Sequence, residues 1–344
     1  MSKDPSISVL ENYQRQLFRA VEVAREAIQT WPDWWRGLSY FQKVFPIFSI
    51  LVYWTVLYAL NGFRNDHFWI GAIILTLSYI GPFGRTVLKF GLPFLLTVII
   101  YDSMRYYADL IRGPVHVNEP YLFDKRFFGI STAAGILTPN EWWQLHTNPV
   151  LDFITGFAYL NFVSIFILVA GYFYFYLGKT GTFRATPERI SEVGRRIPWA
   201  FFWLNMLGYS TYYWYAAAPP WYVAMYGLGP AKMDVAANAA GCARFDQMLG
   251  THFFSGMYGR AADVFGAIPS LHVAYPLLSI IFAFQVGAAR GFCIFFYILM
   301  TFSAVYLNHH YLLDALWGSA YALMTGYFIN WYYDRRSHNE LKTG

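Results

Sequence analysis

The chain has 344 residues, of which 57% are hydrophobic, 21% aromatic and only 13% charged, whereas a soluble domain carries about a quarter charged residues. That deficit excludes an ordinary soluble enzyme and indicates an integral membrane protein. The net charge of +5 comes from basic residues in short loops between apolar runs, which suits membrane orientation and not a nucleic-acid-binding stripe. Cys242 and Cys293 cannot build a disulfide framework.

At the N-terminus Leu10, Leu17, Val21, Ala24, Ile28 and Trp31 recur at helical spacing, with Arg15, Arg19, Glu22 and Arg25 on other faces and Trp34 and Trp35 behind them. The pattern predicts either a helix lying among lipid headgroups with an aromatic anchor or a soluble helix packed on a cytoplasmic surface. No cleavable signal peptide is expected, because this stretch is polar. The expected layout is an N-terminal amphipathic segment over 1–43, a transmembrane catalytic domain over 44–336 and a tail over 337–344.

Apolar runs follow at roughly 44–61, 67–83, 87–104, 150–177, 198–218, 270–289, 291–307 and 311–333. About 20 apolar residues cross a bilayer as a helix, so the fold class is all-α, a polytopic bundle of about eight spans. Arg85 and Lys89 lie between the second and third runs. Lys179, Arg184, Arg189, Arg195 and Arg196 lie between the fourth and fifth, Arg290 between the sixth and seventh, and Arg335, Arg336 and Lys342 in the tail. All fall on one side if both termini are cytoplasmic, as the positive-inside rule requires. In that orientation residues 105–112, Gly266–His272 and Tyr306–Asp314 meet at the opposite, lumenal or periplasmic, face.

Two long loops share that face, 105–149 and 219–268, and loops of such length usually cover or line a site. Asp102, Glu119 and Asp263 are candidates to hydrogen-bond a polyol headgroup there. His116, His146 and His252 have no partner visible in the sequence.

The chemistry concentrates in G-A-I-P-S-L-H (266–272) and Y-L-N-H-H-Y-L-L-D (306–314). His310 and Asp314 stand four apart and so share a helix face. A carboxylate there fixes the imidazole tautomer and leaves the other ring nitrogen free to attack or accept a proton. An ionisable pair at the end of an apolar span is costly and therefore a functional candidate. Pro269 and Ser270 start a helix whose first N–H groups suit an anion, with His272 at its mouth. His309 points about 100° from His310 on a helix, so packing or a loop contact is expected of it. No H-E-x-x-H and no Asp-rich ligand set is present, so no metal and no cofactor is expected.

These two stretches resemble the second and third signatures of the type 2 phosphatidic acid phosphatase (PAP2) superfamily, P-S-G-H and S-R-x5-H-x3-D. Arg105-x6-Arg112-Gly-Pro114 resembles the first, K-x6-R-P, with lysine replaced and a glycine inserted. A-P-P-W-Y (218–222), F-D-Q-M-L-G-T (245–251), V-F-G-A-I-P-S-L-H (264–272) and Y-L-N-H-H-Y (306–311) are similar to the inositol phosphorylceramide synthase branch. The resemblance implies a six-helix catalytic core and a phosphohistidine on His310, positioned by Asp314. His272 would act as the proton donor and acceptor, and Arg105, Arg112 and Ser270 would hold the phosphoryl oxygens. The arginine that precedes the superfamily's third motif is Ala304 here, which suits a phosphodiester with one negative charge fewer than a monoester. The expected function is transfer of a phospho-headgroup, phosphoinositol by resemblance, from a glycerophospholipid to a ceramide-like hydroxyl. A lipid phosphate phosphatase using the same residues is the alternative, and a non-catalytic lipid carrier is a third class.

Overall fold

The structure, a computed structural model, describes residues 22, 25, 26, 28–261 and 263–343, with side chains as far as Arg336. Leu10, Leu17, Val21 and Ala24 of the expected N-terminal stripe lie outside the described residues, as do Arg15 and Arg19.

The chain divides into two compact units, Met1–Leu92 and Pro93–Gly344. In the first, helix α1 covers residues 28–37, and Trp31 stacks on Trp35 with ring centroids 5.5 Å apart. Helix α2 (Tyr40–Ala59) starts at a capping box in which Ser39 and Gln42 satisfy each other's backbone donors. It packs against α3 (Asn65–Tyr79). The aromatic end of α1 is tied down by Trp31 Nε1, which donates to the Tyr79 carbonyl at 2.8 Å. Arg85 lies over the Trp34 ring at 5.3 Å.

Helix α4 (Pro82–Ser103) leads into the second unit, where α5 (Asn118–Phe127), the hairpin β1 (Ile130–Thr132) and β2 (Gly135–Leu137), and α6 (Pro139–Leu145) fill the first long loop. The hairpin is antiparallel, pairing Ile130 with Leu137 and Thr132 with Gly135. Helix α6 opens on a Thr138–Glu141 capping box with Pro139 at its first position, the residue best suited to a place whose N–H has no helical partner. Then come α7 (Pro149–Gly171), capped by Asn148, and α8 (Pro187–Trp214), capped by Thr186. The second long loop holds α9 (Cys242–Leu249), and three helices follow: α10 (Leu271–Val286), α11 (Arg290–Tyr306) and α12 (Leu312–Thr343).

Helix α10 is the centre of this unit and packs against α7, α8, α11 and α12. Its Val273, Ala274, Leu278, Phe282 and Val286 are completely buried. Lower in the bundle, Arg196 of α8 is also completely buried and joins that helix to α12. It donates to Asp334 at 2.8 Å and Asn330 at 3.1 Å and pairs with Glu192.

Every apolar run expected from the sequence is helical. Three helices are long and apolar enough to cross a bilayer, Tyr40–Ala59, Pro82–Tyr106 and Pro149–Thr180, and the chain is a helical membrane protein. The eight expected spans are not reached on those criteria. Leu271–Val286 and Arg290–Tyr306 are apolar but shorter, α3 has 15 residues, and the long helices α8 and α12 carry charged ends.

Candidate active site

Three short segments meet at the N-terminal end of α10. His116 bridges to Ala217, and Ala217 to Gly266, in parallel fashion. This brings the G-A-I-P-S-L-H stretch beside the end of α8. Gly318 of α12 gives the close approach on the other side: a Cβ there would lie 2.2 Å from the Ser270 carbonyl oxygen. Gly318→Ala should therefore push α12 off the mouth of α10 at a cost of about 1–3 kcal/mol. The expected result is a lower melting temperature in detergent together with reduced activity, whereas a wild-type melting curve would show that the contact relaxes freely.

His272 and His310 are in direct contact, Nδ1 to Nε2, at 3.0 Å. The far side of His310 fixes the proton positions. Its Nδ1 lies 3.0 Å from the Ala267 carbonyl and 3.3 Å from Asp314 Oδ2, both acceptors, so Nδ1 carries the hydrogen. Nε2 is then the bare nitrogen and accepts from His272. Asp314 is completely buried. Its Oδ2 also accepts the Tyr311 N–H at 2.9 Å, and its Oδ1 has no hydrogen-bond partner.

The His272 ring is bounded by aromatic faces, Tyr159 at 4.2 Å and Phe162 at 4.3 Å between centroids. Tyr159 also faces His309 at 5.2 Å, and Tyr258 stacks on His309 at 4.7 Å. His309 Nε2 lies 3.0 Å from the Ala239 carbonyl, which makes it a donor to the second long loop. Burial, reinforced by the neighbouring His310, pushes the His309 imidazole down to about 3. Its Nε2 hydrogen is committed to the loop carbonyl, the loop contact expected of it.

Ser270 is the N-cap residue of α10 by position, but its side chain makes no cap bond. Its Oγ is buried without a hydrogen-bond partner, and its N–H is taken by the Asp314 carbonyl at 2.9 Å. The hydroxyl and the first-turn N–H groups beyond it are thus the donors left at this helix mouth.

The expected phosphate-binding arginines sit in ion pairs. Arg112 contacts Asp263 at 2.9 Å and Asp109 at 3.1 Å and lies over the Phe265 ring. Arg105 pairs with Asp102 and reaches the Arg260 carbonyl at 3.4 Å. Neither guanidinium touches His272, His310 or Asp314. Of the headgroup candidates, Asp102 and Asp263 are therefore engaged by Arg105 and Arg112, and burial raises the Asp263 carboxyl. Glu119 binds His116 at 3.0 Å and keeps its carboxylate open to solvent. Of the three histidines with no partner visible in the sequence, two find ring partners: His116 stacks on Tyr215 and His146 on Trp142.

Two residues that the sequence reading did not select grip the His310 turn. Asp124 of α5 accepts the N–H groups of Leu312 at 2.8 Å and Leu313 at 3.0 Å. Asn140 of α6 donates to the carbonyls of Val305 at 3.0 Å and His310 at 2.9 Å. The T-P-N-E capping box was the available signal for Asn140, since it marks a helix start inside the loop.

A pair of imidazoles backed by a buried carboxylate, at the mouth of an apolar helix, is the apparatus of a membrane-embedded enzyme. The profile of the PAP2 superfamily matches residues 133–328, and the chain belongs to that superfamily. The matched stretch begins after Arg105 and Arg112. Within the superfamily the similarity is to the inositol phosphorylceramide synthase-like branch. The chain is 33% identical over 274 residues to the phosphoinositol dihydroceramide synthase of Bacteroides thetaiotaomicron, covering 78% of this chain and 85% of that one. It is 26% identical over 280 residues to the inositol phosphorylceramide synthase catalytic subunit of Schizosaccharomyces pombe, covering 76% of this chain and 62% of that one. The corresponding subunit of Saccharomyces cerevisiae is 25% identical over 288 residues, with 81% and 67% covered. No solved structure matches the chain.

Proposed function

We propose that this protein transfers phosphoinositol from a glycerophospholipid to the hydroxyl of a ceramide-like lipid, by way of a phosphohistidine on His310. The observation that carries the reading is the His272–His310 contact, with the hydrogen of His310 turned away toward Asp314 and Ala267. The names of the similar synthases supply the transferred group and the acceptor class, and the glycerophospholipid donor is part of the proposal.

In the first step Nε2 of His310 forms a bond to phosphorus as the bond from phosphorus to the diacylglycerol oxygen breaks. A protonated His272 delivers its proton to that oxygen. In the second step the acceptor hydroxyl oxygen displaces His310 from phosphorus and its proton returns to His272, so the cycle closes without net proton uptake. A phosphorus between the two rings needs about 6–7 Å from attacking nitrogen to proton donor, given reacting atoms roughly 3–3.5 Å apart and a normal hydrogen bond. The 3.0 Å pair must therefore open. His272 is the ring able to yield, because its other ring contacts are aromatic faces and not hydrogen bonds.

Ser270 and the first turn of α10 are the proposed oxyanion donors. Arg105 and Arg112 would assist by exchanging a carboxylate partner for a phosphoryl oxygen. Ala304 is completely buried beside Tyr159 and Tyr306 in one apolar cluster, so this position gives a monoester dianion no cation. That supports a diester donor. The arrangement also accords with both termini in the cytoplasm, the site at the lumenal or periplasmic face, and a catalytic domain over 44–336 that crosses the bilayer about eight times.

Detergent-solubilised protein given phosphatidylinositol and ceramide should release diacylglycerol and a new phosphosphingolipid in equal amounts, measured by mass spectrometry. Release of inorganic phosphate from phosphatidate with no phosphosphingolipid would overturn the reading in favour of a phosphatase.

A further inference from the structure

The turn between α11 and α12 folds back sharply, with Asn308 at φ 63°. Its N–H groups from Leu307 to His310 bond back to the end of α11, and the rest of the protein captures its carbonyls from two sides. Gln144 donates to the Tyr306 carbonyl at 2.9 Å, Gly241 N–H to that of Leu307 at 3.0 Å, and Trp221 N–H to that of Asn308 at 3.1 Å. Two side chains from the first long loop reach the turn beside His310: that of Asn140, on its carbonyl, and that of Asp124, on the first N–H groups of α12. Both are buried, Asp124 at 0% and Asn140 at 1% exposure.

We infer that Asp124 and Asn140 are positioning residues for the nucleophile, bracing the His310 backbone from both ends so that Nε2 faces His272. The inference rests on the phosphotransfer reading and deepens it. Ala267 and Asp314 set the rotation of the imidazole about its own bonds, but the place of its Cα is set by the turn. Asn140 spans that turn with one amide group, its two hydrogens tying Val305 to His310. Asp124 holds the next turn by a carboxylate at a helix N-terminus, where the orphan N–H groups and the dipole both favour negative charge. A carboxylate is required because it offers an acceptor oxygen to each of two N–H groups, whereas an amide offers one acceptor and turns a donor toward the other. A nucleophile displaced by about 1 Å loses on the order of 10²-fold in rate.

The test uses the full chain in detergent with Asp124→Asn, and Asn140→Ser as an independent second variant should the first fail to fold. Each should lower kcat by about 10–100-fold while KM for phosphatidylinositol stays within about threefold. Hydrogen exchange of the peptide over 305–315 should quicken by about tenfold or more, with the remainder of the chain unchanged. Unaltered exchange over 305–315, or kcat within about threefold of wild type in a folded variant, overturns the inference. A wild-type protein that makes no phosphosphingolipid sinks the functional reading instead, and the exchange measurement still decides whether the brace exists.

Discussion

His310→Ala is expected to abolish transfer, with a fall in kcat on the order of 10⁵-fold or more, the scale set by removal of a covalent nucleophile. The loss should come without loss of fold. The His310 ring makes three contacts that alanine cannot replace, to His272, Ala267 and Asp314, but its backbone remains tied by the Ala304 and Asn140 bonds. A second readout separates covalent from direct transfer. Wild-type protein quenched with donor carrying radiolabelled phosphate should hold an acid-labile label, and the variant should hold none. Substantial turnover by a folded His310→Ala protein would end the phosphohistidine mechanism.

His272→Ala should cost about 10²–10⁴-fold with a natural phospholipid, the usual worth of a positioned acid–base group. The size of the loss should depend on the leaving group. A diester that expels a nitrophenolate needs little proton assistance, so the variant should recover much of its first-step rate with that donor. His310→Ala should not be rescued in this way. Full activity of His272→Ala on phosphatidylinositol would remove His272 from the acid–base role, and an equal defect on both donors would assign it a purely structural part.

The helices were legible in the sequence because hydrophobic runs of this length leave the chain few alternatives, and each of the eight runs is helical. Their status as spans was less legible: α8 and α12 mix apolar stretches with charged ends, and α10 is only 16 residues long. At the site, spacing pointed to the His310–Asp314 contact, but the shared helix face expected of the pair is not what makes it: His310 stands in the turn before α12 and Asp314 in that helix's first turn. The contact of His272 with His310 could only be anticipated from topology and motif, because no local pattern carries a pairing across 38 positions. Asp124 escaped notice for a similar reason. It caps a helix 188 residues away, and a remote cap leaves none of the local marks of an ordinary one. Arg105 and Arg112 show the opposite difficulty. Their spacing is visible, but the sequence does not reveal that Asp102 and Asp263 occupy their guanidinium groups.

The ring faces of Tyr159 and Phe162 beside His272 bear on which nucleophile would resolve the proposed intermediate. Those faces offer a water molecule no hydrogen-bond partner, and a polar molecule held in such surroundings unbonded is penalised by roughly 1–3 kcal/mol. A long-chain alcohol brings its own hydrocarbon to the same wall and gains from the encounter. Acceptor selectivity would then reside partly in these two ring faces, and Phe162→Ser should raise the fraction of the proposed intermediate lost to hydrolysis before it weakens the affinity for the donor.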